Sequence, residues 1–249
     1  MEKFRFGLSS SGVQDLTEQD FHDFAKAGLK ELELSFSEDR YDTLRWKEIE
    51  QRAARYGIHL WSFHLPFSPF TKINIASPHK EIRSNTVSYF EELMRKAADI
   101  GIKIMVLHPS GEPNQEKERE ELMKMAQDSL ARLSSTAQKM GVTLAVENLP
   151  RTCLGRNSEE IRQLLSVDDN LRACFDTNHL LVQHIKEFIL DVGERIITTH
   201  VSDYDFRNER HWMPGEGKID WIEWMETMEA IAYDGPILYE LRFEAPPTI

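Results

Sequence analysis

With 249 residues, 41% of them hydrophobic, the chain has enough apolar material for one barrel-sized core or two smaller ones, which excludes a disordered polymer. Its formal net charge of −12 argues against a broad phosphate-neutralising surface, so nucleic acid is not the expected partner. Only two cysteines occur, Cys153 and Cys174, neither in a CxxC pair; a disulfide scaffold is not needed at this length, and buried or idle thiols are expected.

In chain order, short apolar runs alternate with longer stretches of helical period, the pattern of repeated βαβ units. Residues 4–8 form the first predicted strand. A helix follows over 17–27, with Thr17 as its N-cap and Gly28 at its end. Strand 29–34 and helix 44–56 come next, then strand 58–64, broken by Pro66. A helix over 84–100 leads to strand 103–108, and a long helix over 115–140 leads to strand 143–148. A short helix over 158–165 and a strand over 171–176 precede a sixth helix over 179–191. A strand ending at His200, a helix over 219–231 and a strand over 236–241 complete the series.

Eight such units without a linker predict one domain, residues 1–249, folded as a (β/α)8 TIM barrel. A doubly wound open sheet is the runner-up, but no GxGxxG follows the first strand. Only eight residues remain after Leu241, so the eighth outer helix is expected to be missing or vestigial. The N-terminal MEKFRFGLSS lacks the apolar core of a signal peptide, and no run approaches the roughly 20 apolar residues of a membrane helix. A soluble, cytoplasmic protein is therefore expected. The bare flank of the barrel raises a homo-oligomer as an option.

Barrel enzymes place their chemistry where the strands run out at the carboxyl face. The third predicted strand ends at His64, the fourth at His108 and the fifth at Glu147. The sixth ends at Asp176, with His179 three residues on, the seventh at His200 and the eighth at Glu240. One polar residue closing an apolar run is ordinary; six successive strands doing so is not. Imidazoles and carboxylates gathered at one mouth need a partner, because buried charge is costly alone. A divalent cation supplies it, and this donor mixture suits zinc, manganese, iron or cobalt better than calcium. Past His200 the loop carries Asp203, Asp205, Glu209 and His211 before a Pro-Gly-Glu-Gly turn at 214–217. It reads either as further metal ligands or as an acidic loop, and Gly215-Glu216-Gly217 either as a phosphate cradle or as a plain turn.

Taken in order, HLPF, NIASP, LHPS, VEN, FDTNH, THVSD, ERHWMPGEG and YEL resemble the xylose isomerase-like barrel superfamily. Sugar and sugar-phosphate isomerases and epimerases and endonuclease IV belong to it. The epimerase-like resemblance implies a metal held by Glu147, Asp176, His200 and Glu240. It implies that Glu147 and Glu240 trade a proton at carbon through a metal-stabilised enediolate, with His179 orienting the substrate or a ligand. A glutamate near neutral effective pKa serves as both acceptor and donor in such chemistry. The endonuclease IV resemblance implies a fuller multi-zinc set of His64, His108, Glu147, Asp176, His179, His200, His211 and Glu240. Its ninth position is Glu209, where that family has aspartate, a displacement of about an ångström or more that puts a third metal in doubt.

The expected activity is a metal-dependent sugar or sugar-phosphate isomerase or epimerase using Mn²⁺, Zn²⁺, Co²⁺ or Mg²⁺ on a small-molecule carbohydrate. An abasic-site DNA nuclease is the alternative, opposed by the acidic charge and the lack of a basic cluster beside an intercalating wedge. A lyase on related enolate chemistry and a sugar-binding protein are the remaining readings. Arg207 is the candidate for meeting a substrate hydroxyl, carboxylate or phosphate, and Trp61, Phe63 and Trp212 are candidate pocket walls.

Overall fold

The computed structural model describes residues 5–13 and 15–242. The elements are β1 (Phe6–Ser9), α1 (Glu18–Lys26), β2 (Glu31–Leu34), α2 (Trp46–Tyr56), β3 (His59–His64), α3 (Lys80–Asp99), β4 (Ile104–Leu107) and α4 (Arg119–Met140). They continue with β5 (Thr143–Glu147), α5 (Ser158–Leu165), β6 (Arg172–Asp176), α6 (Ile185–Val192), β7 (Ile196–His200), α7 (Trp221–Ala230) and β8 (Ile237–Tyr239).

Local chemistry explains the boundaries. Thr17 opens α1 as half of a capping box, its hydroxyl accepting from the Asp20 N–H while the Asp20 carboxylate accepts from the Thr17 N–H. The left-handed turns that stop α2 and α4 fall on Gly57 (φ 65°) and Gly141 (φ 66°), where a side chain would be strained. The expected sixth helix starts later than the apolar period suggested. Asp176 accepts from the Asn178 N–H at 2.6 Å, and residues Thr177–His179 form a 3-10 turn instead. The Tyr204 hydroxyl then takes the Leu180 carbonyl at 2.6 Å. These side-chain bonds outcompete helix propagation until Ile185.

All ladders are parallel, in the order β7-β6-β5-β4-β3-β2-β1-β8. The ring closes between its two end strands just beyond β7. Val201 pairs with Tyr239 in an isolated bridge, and its N–H donates to the Leu238 carbonyl at 2.8 Å. This is the (β/α)8 barrel expected, with helices between successive strands. Beyond β8 the described chain runs only to Arg242, so the expectation of a vestigial eighth helix lies outside the described residues. Among the described residues no helix is long and apolar enough to cross a membrane.

The pleat sorts the strand residues. Met105, Leu107, Leu144, Val146 and Phe175 join the large core shared with the helices, whereas Val106, Ala145 and Cys174 form a separate small cluster within the cylinder. One pleat period beyond Val106, Ala145 and Cys174 stand His108, Glu147 and Asp176. The alternation that fills the middle of the barrel with small apolar groups thus delivers acids and imidazoles to its mouth.

Candidate active site and metal centre

Glu147, at the end of β5, is the hub. It is buried, and its Oε2 lies 3.0 Å from His64 Nε2 and 3.2 Å from His108 Nε2. Its Oε1 lies 3.2 Å from His200 Nδ1 and 3.4 Å from His179 Nδ1. His64 donates through Nδ1 to the Leu65 carbonyl at 2.7 Å, which leaves Nε2 facing Glu147. In the same way His179 Nδ1 donates to the Asn148 carbonyl at 2.9 Å, and Nε2 meets Glu209 at 3.0 Å. His200 Nδ1 also faces Glu240 Oε2 at 3.5 Å and Asp176 Oδ2 at 3.9 Å. His211 holds φ 53°, an unusual conformation for a non-glycine residue, and its Nε2 lies 3.9 Å from Glu209 Oε1.

Three groups emerge whose candidate ligand atoms lie within 4.8 Å of one another: His64–Glu147–His200, Glu147–Asp176–His200–Glu240, and His179–Glu209–His211. The residues fit a cation on one independent observation. Asp176 Oδ2 is buried without a hydrogen-bond partner, a costly state for a carboxylate oxygen unless something positive meets it.

Charge distribution within the cluster is uneven. Burial opposes the Glu147 carboxylate, yet His200 and His108 outweigh it and hold its pKa well below the usual range. Glu240 is likewise lowered against burial, by His200 and His211. Both glutamates therefore rest as carboxylates rather than near neutrality. Asp176 behaves oppositely, because burial dominates and pushes it up to about 7. For His179, burial opposes the charged form, but Asp176 and Glu209 prevail and raise it to about 10.

The site opens into a cavity of about 590 Å³ lined by His64, His108, Glu147, His179, Glu209, His211 and Glu240, with Phe67 and Phe70 as its aromatic walls. Phe67 stacks on His108 with centroids 4.5 Å apart. The expected walls are elsewhere. Trp61 points into the barrel and donates to Thr198 Oγ1 at 3.1 Å. Phe63 packs edge-on against Trp46 and Tyr41 in the outer core. Trp212 lies under Arg210, its backbone paired with Asp203.

Arg207 is also displaced from its expected role. It is exposed, outside the cavity lining, and its N–H donates to Asp205. Arg151 lines the cavity instead, with its guanidinium on Glu112 and Glu209. Nothing about a strand end flags it, since it follows Pro150 in a loop. The Gly215–Gly217 segment is a turn rather than a cradle: the Gly215 N–H is committed to Asp203 at 2.9 Å.

Residues 21–248 match the family described as xylose isomerase-like TIM barrel. An uncharacterized protein of Methanocaldococcus jannaschii is 28% identical over 182 residues, 70% of this chain and 62% of the relative. A D-psicose 3-epimerase of Ruminiclostridium cellulolyticum is 23% identical over 87% of this chain and 75% of its own. A probable endonuclease 4 of Campylobacter concisus is 27% identical over 59% of each. The matches span less than two thirds of the length of the first curated relatives, at 62%, 64% and 60%. Among solved structures, a D-tagatose 3-epimerase-like protein superposes with TM-score 0.85 at 25% identity, covering 95% of this chain and 90% of that one. The IOLI protein with a binding zinc atom shares the fold, with TM-score 0.81 at 16% identity over 95% of this chain and 88% of its own.

Proposed function

This chain belongs to the xylose isomerase-like TIM barrel family, and on that premise we propose that it is a divalent-metal-dependent sugar or sugar-phosphate isomerase or epimerase. The carrying observation is the convergence of Glu147, Asp176, His200 and Glu240, four side chains with ligand atoms within 4.8 Å of one another, around an Asp176 oxygen that has no hydrogen-bond partner. The likeness to epimerase structures and sequences supports the same reading. In this proposal residues 1–249 act as one catalytic domain.

The four converging side chains would hold the cation, which supplies the positive charge that an enediolate needs on its oxygens. The chain's own groups handle the proton. Glu147, resting as a carboxylate, is competent to take a proton from the carbon beside the substrate carbonyl. The C–H electron pair becomes the new C=C bond as the carbonyl pair moves to oxygen. Return of a proton to the former carbonyl carbon, while the neighbouring hydroxyl passes its proton to the former carbonyl oxygen, gives an isomer. Delivery to the opposite face of the original carbon, by a second glutamate that has first taken up a proton from water, gives an epimer, and the first glutamate then returns its proton to water. Glu240 is the candidate for that second group. His179, held between the Asn148 carbonyl and Glu209, lines the cavity and is the candidate for orienting the substrate. Phe67 and Phe70 limit water at the mouth.

The test is direct. Protein stripped by a chelator and reloaded with Mn²⁺, Co²⁺, Zn²⁺ or Mg²⁺ should convert at least one member of a panel of ketoses and ketose phosphates, read by chromatography. Glu147→Gln and Glu240→Gln should each lose about 10²–10⁴-fold in kcat with the circular dichroism spectrum unchanged. Retained turnover in either variant removes the two-glutamate mechanism.

One observation favours a nuclease as second reading, namely the additional His179–Glu209–His211 group. Arg151 works against it. Its guanidinium already sits on Glu209, placing a positive charge beside the position another cation would take. Metal-dependent cleavage of an abasic duplex, with no ketose converted, would reverse the ranking.

A further inference from the structure

Below the mouth, the barrel contains a carboxylate that strand-end reasoning does not reach. Glu33 lies within β2 and is fully buried. Ser9 Oγ from β1 donates to its Oε1 at 3.0 Å, and Ser62 Oγ from β3 donates to its Oε2 at 2.8 Å. Two hydroxyls satisfy lone pairs but bring no opposing charge. The neighbouring buried glutamate on the same strand is different, since Glu31 pairs with Arg5 and His59. Buried carboxylates persist when paired, and the partner of Glu33 comes from across the barrel.

That partner is His200. Its Nε2 lies 2.9 Å from Glu33 Oε1, an ion-pair contact without an aligned hydrogen bond. Its Nδ1 faces the opposite way, hydrogen-bonded to Glu147 at 3.2 Å and near Glu240 at 3.5 Å and Asp176 at 3.9 Å; a cation held there would need the Nδ1 lone pair and so the ring proton on Nε2. A neutral imidazole carries its proton on one nitrogen and offers a lone pair on the other, so whatever fixes the proton selects the ligand atom. The Cys174 thiol also packs against His200. A thiol is a weak acceptor, however, and a carboxylate outcompetes it for the proton.

We propose that Glu33 is the positioning residue of the metal centre: it keeps the His200 proton on Nε2, so that Nδ1 remains the lone-pair donor facing Glu147, Asp176 and Glu240. The inference rests on the metal-centre reading above. It adds Glu33, buttressed by Ser9 and Ser62, as the support that sets the tautomer and the ring direction. Glu33 touches neither substrate nor cation and acts only through His200.

The experiment compares wild type with Glu33→Leu, Glu33→Gln and the control Glu31→Gln. Zn²⁺ affinity is measured by competition with a chromophoric chelator, and the protonated nitrogen of His200 is identified by long-range ¹⁵N–¹H NMR on the Zn²⁺-loaded protein. Glu33→Leu should weaken Zn²⁺ binding by about 10–100-fold. Glu33→Gln should fall between, since its amide oxygen keeps a negative dipole beside Nε2 but loses the full charge, and Glu31→Gln should match wild type. In wild type the His200 proton should be found on Nε2. The proposal is overturned if Glu33→Leu binds Zn²⁺ like wild type, if Glu31→Gln is weakened equally, or if the proton sits on Nδ1. Should Glu33→Leu fail to fold, Glu33→Gln and the wild-type NMR assignment decide. A wild-type chain that takes up no divalent metal would sink the enzyme proposal as well, whereas variants that match a metal-binding wild type sink this inference alone.

Discussion

Arg119 shows how much one side chain can govern. Its guanidinium is buried and donates to Glu160 at 2.5 and 2.7 Å. It also takes the Thr152 and Cys153 carbonyls, fixing the loop from which Arg151 enters the cavity. Arg119→Met takes from buried Glu160 its two-pronged partner, leaving only Arg156 at 3.6 Å, and should cost about 3 kcal/mol in urea denaturation. A loss below about 1 kcal/mol would mean that the pair is replaceable. At this scale the sequence was readable where a polar residue closes an apolar run, as His64, Glu147, Asp176 and His200 each do. Glu33 escaped because it lies inside a strand, where a charge looks like surface until the barrel interior is known to be polar. Arg151 escaped because loop residues carry no period to place them.

At the scale of elements, the loop from Val201 to Asp220 is organised by Asp203. This buried carboxylate accepts from the Tyr204, Gly215 and Ile219 N–H groups and from Trp221 Nε1. Gly217 makes the arrangement possible. A Cβ there would lie 2.2 Å from Asp203 Oδ1 and 2.5 Å from the Tyr204 backbone. Gly217→Ala should therefore destabilise the protein by about 1–3 kcal/mol. Because His211 rides on the same loop, the variant should also lose activity out of proportion to stability. A crystal structure of the variant with the loop unmoved and activity intact would refute this. The alternation of strands and helices was plain in the chain because each strand is a short apolar run and several helices end on glycine. The start of α6 was not, because side-chain bonds from Asp176 and Tyr204 override an apolar period that looks helical.

For the whole molecule, a cation that binds only the folded state adds stability by mass action. Free Zn²⁺ or Mn²⁺ at 100 times its Kd should add about 2.7 kcal/mol, or about 5–10 °C in Tm for a chain of this size. Calorimetry before and after chelation checks it, and an unchanged Tm would count against a structural contribution from the metal. The place where that stability enters is set by the closure. β7 and β8 share no ladder; they are joined by the isolated bridge at Val201 and Tyr239, by the Glu240 N–H donating to the Val201 carbonyl at 3.2 Å, and by Thr199 Oγ1, which donates to the Pro236 carbonyl and accepts from the Leu238 N–H. His200 and Glu240, both offered to the same cation, stand on either bank of that gap. Filling the centre would thus work as a clasp on an unfinished hoop, and emptying it would loosen the molecule first along its β7–β8 edge, with the remaining ladders left gripped.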